Sequence, residues 1–175
     1  LTDFICFSIA IIEFLYYYLA QEVGGMGILD IFQRRKPKDP EEIARTPVSE
    51  IMRKELVKVT PQEKIEGCIG VMKREGVNFL LVAEGDKLQG VLTDGDILEA
   101  IYHDKIDPKA VPAEMVMRTD VKSINSSTTL EEALEAITSQ KVRRLPVVDE
   151  GKLVGLVSLT DIEEFSGYSL TFTIS

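Results

Sequence analysis

With 175 residues and 45% hydrophobic content, the chain can close one compact body with short extensions. Its 29 acidic residues against 20 basic ones, a formal net charge of −9, leave no broad basic surface to neutralise phosphates, which argues against a nucleic-acid binder. One histidine, His103, and two distant cysteines, Cys6 and Cys68, without metal spacing argue against zinc chemistry and nucleophile–histidine catalysis.

Residues 1–25 hold an apolar run, FICFSIAIIEFLYYYL, broken by Ser8 and Glu13. It is shorter than the roughly 20 apolar residues of a membrane span. No Lys or Arg precedes it and no small-residue cleavage site follows, as a signal peptide requires. Three readings compete: the tail of a transmembrane anchor, an amphipathic partner helix, or translated sequence ahead of a start at Met26. Glu22-Val23 can be encoded by GAGGTG, a ribosome-binding sequence at normal spacing from Met26, and this third reading is preferred. Residues 26–47 form a charged linker with Pro37, Pro40 and Pro47, whose basic cluster RRKPK runs straight into DPEE and reads as solvated.

From Met52 onward the chain repeats itself. The stretch from Met52 aligns without a gap on that from Met117, at a constant offset (117 − 52 = 65). Arg53 meets Arg118, Val77 meets Val142, Leu80 meets Leu145, Val82 meets Val147, Lys87 meets Lys152, Gly90 meets Gly155 and Asp96 meets Asp161. The repeats occupy residues 48–104 and 113–167, joined by residues 103–112 with Pro108 and Pro112, and a tail follows over 168–175.

Each repeat predicts the order β-α-β-β-α. A short helix carrying Ile51-Met52 leads to a β-segment over residues 56–59, and its counterpart to one over 121–124. A helix follows, with Ile65, Cys68, Ile69 and Met72, then Leu130, Ala133, Leu134 and Ile137, recurring at i, i+3, i+4 and i+7. Thr60-Pro61 mark the first of these helix starts, and Ser127-Thr128-Thr129 before Glu131-Glu132 mark the second. Cys68 falls on the inward face as a buried free thiol, and nothing implies an oxidising compartment, so a cytoplasmic location is expected. Strands FLLVA and LPVVD turn through EGDK and DEGK into KLQGVLT and KLVGLVS. A last helix starts after Thr93 and after Ser158. Two such α/β (α+β) units, each short for a good core alone, should pack face to face about a pseudo-twofold axis. The cleft between them is the first place to look for function.

The strand-to-helix corners GVLTDGD and GLVSLTD carry the strongest chemical signal. Thr93 and Ser158 offer a hydroxyl beside free N–H groups at a helix N-terminus, where an anion is favoured. Asp96 and Asp161, three residues on, could accept from both hydroxyls of a ribose. The preceding glycines, Gly90 and Gly155, would let a flat ring approach the strand. Thr-x-x-Asp and Ser-x-x-Asp are equally capping boxes that need no ligand, and that alternative stays open.

The pair resembles two cystathionine-β-synthase-type (CBS) domains in tandem, a Bateman module. VSEIM, AEMVM, VRRLPVVD and the hairpins leading to GVLTDGD and GLVSLTD carry the likeness, from Val48 to about Phe165. The resemblance implies a non-enzymatic regulatory module that binds an adenosine-containing ligand (AMP, ADP, ATP, S-adenosylmethionine or NAD) between the domains, forms a homodimer and signals to an unknown partner protein. It implies that Thr93 and Ser158 bond phosphate or ribose oxygen and that Asp96 and Asp161 hold ribose hydroxyls. Thr60 and Asn125, with Val77 and Val142, would line the adenine pocket. Arg143 and Arg144 stand where the family places phosphate-binding basic residues, and paired guanidinium groups suit a polyphosphate; composition alone reads them as a solvated strand end.

The first repeat departs from the pattern, with Asn78-Phe79 in place of the arginines and Leu81 in place of Pro146, so the two clefts should differ. Phe79 is assigned to the core rather than to stacking on adenine. Asp94 beside Thr93 opposes a polyphosphate at that corner unless a cation such as Mg²⁺ bridges the two. Two rival readings remain: a structural dimerisation module with empty clefts, and a membrane-tethered regulator of a transporter, which needs residues 1–25 to be native protein.

Overall fold

The computed structural model describes residues 39–167; the apolar run over 4–19, most of the charged linker and the C-terminal tail lie outside them. The end of the linker is ordered as helix α1 (Pro40–Arg45), where Asp39 accepts from the Glu41 N–H and proline occupies the first turn. A 3-10 turn (Val48–Glu50) then stands where a short helix carrying Ile51-Met52 is expected.

The first repeat continues with β1 (Lys58–Val59), α2 (Ile65–Glu75), β2 (Phe79–Glu84), β3 (Lys87–Thr93) and α3 (Asp94–Tyr102). β1 runs parallel to β2, and β2 antiparallel to β3, in one three-stranded sheet. The second repeat holds a 3-10 turn (Ala113–Met115), α4 (Leu130–Ser139), β4 (Arg144–Asp149), β5 (Lys152–Ser158) and α5 (Leu159–Ser166). Here β4 and β5 pair antiparallel.

The β-segment expected over 121–124 shrinks to a single parallel bridge between Ile124 and Val147. Proline is the reason. In the first repeat the Leu81 N–H donates to Val57 O at 3.2 Å, whereas Pro146 at the matching position has no N–H to donate. The start of α2 also differs from expectation. Its N-cap is Lys64, with no side-chain cap, and the orphan N–H groups of Ile65 and Glu66 donate instead to Val111 O (3.0 Å) and Pro108 O (2.9 Å) in the inter-repeat connection. α4 is capped as its sequence predicts, by a reciprocal box between Thr129 and Glu132.

The repeats exchange their opening segments. Arg53 and Leu156 swap backbone hydrogen bonds of 2.9 and 3.0 Å, and Arg118 and Val91 do the same at 2.9 and 3.0 Å. Each pair adds the opening segment of one repeat to the edge strand of the other. Packing follows the same exchange. Val48 is buried among Leu130, Ala133, Ile137, Leu145, Val147, Val157 and Ile162 of the second repeat. Ala113 is buried among Val59, Ile65, Cys68, Met72, Leu80, Val82, Leu92 and Ile97 of the first. A third cluster, centred on Leu81, Ala83, Val91 and Leu153, joins the two sheets directly. Burial of this apolar surface from both sides joins the two copies through shared packing.

Candidate functional site

Between the repeats lies a cleft of about 830 Å³. Phe79, Val91 and Thr93 of the first repeat form one wall, and the segments 117–122 and 140–146 of the second form the other. The volume suits a molecule of nucleotide size. Of the residues singled out from sequence, Thr93, Val142, Arg143 and Arg144 come together here. Asp96 stands behind Thr93, one helical turn into α3. Ser158 and Asp161 form the matching corner of the second repeat, and Thr60 and Asn125 are exposed just before α2 and α4. Val77 packs against the first core, its N–H donating to Met72 O at 3.0 Å.

Both acid-bearing corners are closed capping boxes. Asp96 Oδ2 accepts from the Thr93 N–H at 2.9 Å and from Thr93 Oγ1 at 2.6 Å. Asp161 Oδ2 accepts from the Ser158 N–H at 2.8 Å and, in a short contact, from Ser158 Oγ. The remaining oxygens are taken across the repeat boundary. Arg118 Nε meets Asp96 Oδ1 at 3.0 Å, and Arg53 Nε meets Asp161 Oδ1 at 2.7 Å. Asp161 is 7% exposed and Asp96 17%, while both arginine side chains are 59% exposed. The bond and charge of Asp161 hold the Arg53 guanidinium above its ordinary value, so it stays charged. The carboxylates thus fold back on their own amides, and an arginine from the other repeat takes the second oxygen of each.

The two glycines serve a different contact from the one expected. A Cβ on Gly90 would meet Arg118 O and Met117 Sδ at 2.7 Å, and one on Gly155 would meet Met52 Sδ at 2.5 Å. The space over each glycine is filled by the opposite repeat's methionine, not left for a flat ring. Phe79 packs against the cluster of Leu81, Ala83, Val91 and Leu153, in keeping with its core assignment, and also lines the cleft. It is half-buried on the cleft wall, with the Arg144 guanidinium 5.5 Å from its ring centroid. Residues 79 and 144 are counterparts under the repeat (144 − 79 = 65), so the difference between the copies is concentrated where they face each other.

Sequence reasoning overlooked Arg118, Lys122 and Lys141 as cleft residues. The recurrence of Arg53 at Arg118, each directly after a methionine, was the available signal for the first. Among the described residues, no cluster of three or more His, Cys, Asp or Glu side chains could hold a metal. Nor is any helix among them long and apolar enough to cross a membrane.

Comparison with known proteins gives the same picture. The CBS domain family matches residues 48–103 and 113–167. The CBS domain-containing protein YhcV of Bacillus subtilis is 33% identical over 130 residues, covering 71% of this chain and 92% of that protein. A protein with CBS domains from Burkholderia ambifaria superposes with a TM-score of 0.63 at 29% identity, covering 74% of this chain and all of that one (100%). The CBS domain pair of protein MJ0100, solved with 5′-methylthioadenosine and S-adenosyl-L-methionine, is alike in fold, with a TM-score of 0.62 at 23% identity over 70% of this chain and 96% of that one. With both repeats matched, the exchange of opening segments in place and the two acid-bearing corners at equivalent positions, the chain belongs to the CBS domain family as a tandem, non-catalytic regulatory pair.

Proposed function

We propose that this pair is a sensor that binds an adenosine-containing ligand in the cleft beside Thr93 and passes its occupancy to a partner protein. The observation that carries this reading is the cleft itself. Its 830 Å³ space is walled by a hydroxyl at a helix N-terminus, an aromatic face and two adjacent arginines, Arg143 and Arg144. Phe79 and Val142 offer apolar contact to a base and the arginines offer donors to phosphate, while Asp96, held by both Thr93 donors at Oδ2, offers Oδ1 to ribose once Arg118 releases it. Ser158, Asp161, Thr60, Asn125 and Val77 would serve the second, non-equivalent site. A pair of the same fold, MJ0100, holds two adenosine compounds, so this architecture accommodates them. No catalytic group is required: a ligand shifts the relative population of two states by its differential affinity for them. Action as a homodimer in the cytoplasm completes the reading.

Calorimetric titration with AMP, ADP, ATP, S-adenosylmethionine and NAD tests it, with thermal melting alongside. A ligand at about a hundred times its Kd should stabilise the fold by about 2.7 kcal/mol through linkage. No heat and no melting shift with any of the five would refute the reading.

A second reading, a dimerisation scaffold with unoccupied clefts, is favoured by the closed capping boxes at both corners. The Asp96→Ala, Asp161→Ala double variant separates the two. A scaffold loses about 1 kcal/mol per cap and nothing else; a sensor also loses ligand affinity.

A further inference from the structure

The cleft collects positive charge against the trend of the chain. Arg118, Lys122, Lys141, Arg143 and Arg144 line it, with Asp120 as the acidic side chain on its wall, in a chain of 29 acids and 20 bases. Such a concentration in a concave, partly apolar site focuses the field on an anion of several charges and opposes a cationic sulfonium. The repeat supplies its own control. Under the 65-residue offset (117 − 52 = 65), the counterparts of Lys122, Lys141, Arg143 and Arg144 are Val57, Gly76, Asn78 and Phe79, none of them charged. The charge of these four therefore belongs to this cleft and is not a by-product of the fold, while that of Arg118 recurs at Arg53.

Arg118 is held in a way that lets its side chain leave without disturbing the backbone. Its own N–H and carbonyl are fixed to Val91 at 2.9 and 3.0 Å, while the side chain is 59% exposed. The guanidinium bonds Asp96 at Oδ1 through Nε (3.0 Å) and at Oδ2 through Nη2 (3.2 Å). If it turns toward a phosphate, Oδ2 keeps both bonds from Thr93 and α3 keeps its cap. Oδ1 is then left without its partner, one helical turn behind Thr93, which lines the cleft.

We infer that the ligand of this cleft is an adenosine di- or triphosphate, and that Arg118 reads its phosphates by exchanging Asp96 for them, which opens Asp96 Oδ1 to a ribose hydroxyl. This rests on the adenosine-ligand reading above and narrows it. The guanidinium trades one anion for another, so its charge stays paired throughout, and bidentate geometry suits both partners. Ligand binding and release of the Arg118–Asp96 tie are then one event, and the opening segment of the second repeat is where that event is felt.

Calorimetry on the full chain tests this with ATP, ADP, AMP, adenosine and S-adenosylmethionine, on the natural sequence and on the Arg118→Gln and Arg118→Lys variants. Affinity of the natural chain should rise from adenosine through AMP to ATP. Arg118→Gln should lose about tenfold to hundredfold in ATP affinity. It should bind adenosine as tightly as before or more tightly, because Asp96 is already open, and Arg118→Lys should fall between. Equal losses for ATP and adenosine would assign Arg118 to the fold alone and overturn the inference. A natural chain that prefers S-adenosylmethionine or AMP to ATP would overturn it too, while leaving the adenosine-ligand reading intact. Binding of none of the five would remove both.

Discussion

Gly90 and Gly155 occupy matching positions, yet their surroundings differ in what can yield. Over Gly155 the three atoms nearest a new methyl group all belong to the side chain of Met52, whereas over Gly90 one of the nearest is the carbonyl oxygen of Arg118. That carbonyl is bonded to the Val91 N–H at 3.0 Å, so it cannot retreat without opening the exchanged pair. Gly90→Ala should therefore cost about 1–3 kcal/mol in urea unfolding, and Gly155→Ala measurably less; equal costs would contradict this. Cys68 gives a pH prediction. Burial, reinforced by the negative charge of Glu63, pushes its thiol from 9.0 up to about 11. The folded chain then holds this proton more tightly than the unfolded chain. Its contribution is complete below pH 9 and is lost as pH rises toward about 11, so the melting temperature should fall across that window. Peptide-mapped alkylation at neutral pH should leave Cys68 untouched until denaturant is added. Thr93, Val142, Arg143 and Arg144 of the cleft were singled out from the sequence, whereas Arg118, Lys122, Lys141 and the posture of the two aspartates were not. Thr-x-x-Asp and Ser-x-x-Asp spell a capping box and a ribose site alike, and the arginine that settles the posture at Asp161 lies 108 residues away.

At the scale of elements, helices and hairpins follow closely from apolar periodicity and turn residues, because those signals are local. α3 and α5 begin directly after Thr93 and Ser158 as expected, and both hairpins turn where their polar residues stand. The misses have non-local causes. The absent N–H of Pro146 erases a strand that β-propensity favours, and carbonyls of the inter-repeat connection cap α2 in place of a side chain. The exchange of opening segments was also hidden, since a gapless repeat reads most simply as two self-contained units. Val48→Ala tests that exchange. Val48 is fully buried, in the core of the second repeat. The variant should lose about 2 kcal/mol. Hydrogen exchange should show the loss of protection in α4, β4 and β5, with α2, β2 and β3 nearer their native level. Loss confined to the first repeat would contradict the exchange.

For the whole molecule, the pattern the two copies share explains the fold, and their differences explain the site. Two repeats that lend each other an edge segment and a core residue form one body with pseudo-twofold pairing. At the facing positions Phe79 and Arg144 that pairing is broken, and Lys122, Lys141, Arg143 and Arg144 line the cleft where the first repeat has uncharged counterparts. The account places the ligand in that asymmetric cleft. A backbone amide spectrum of the uniformly ¹⁵N-labelled chain, recorded while ATP is added, tests this most directly. The prediction is that the largest shifts fall on Phe79, Thr93, Asp96, Arg118 and residues 142–144, saturating with one binding curve. A spectrum that does not move, or shifts gathered on the outer faces of the helices with these residues still, would contradict it.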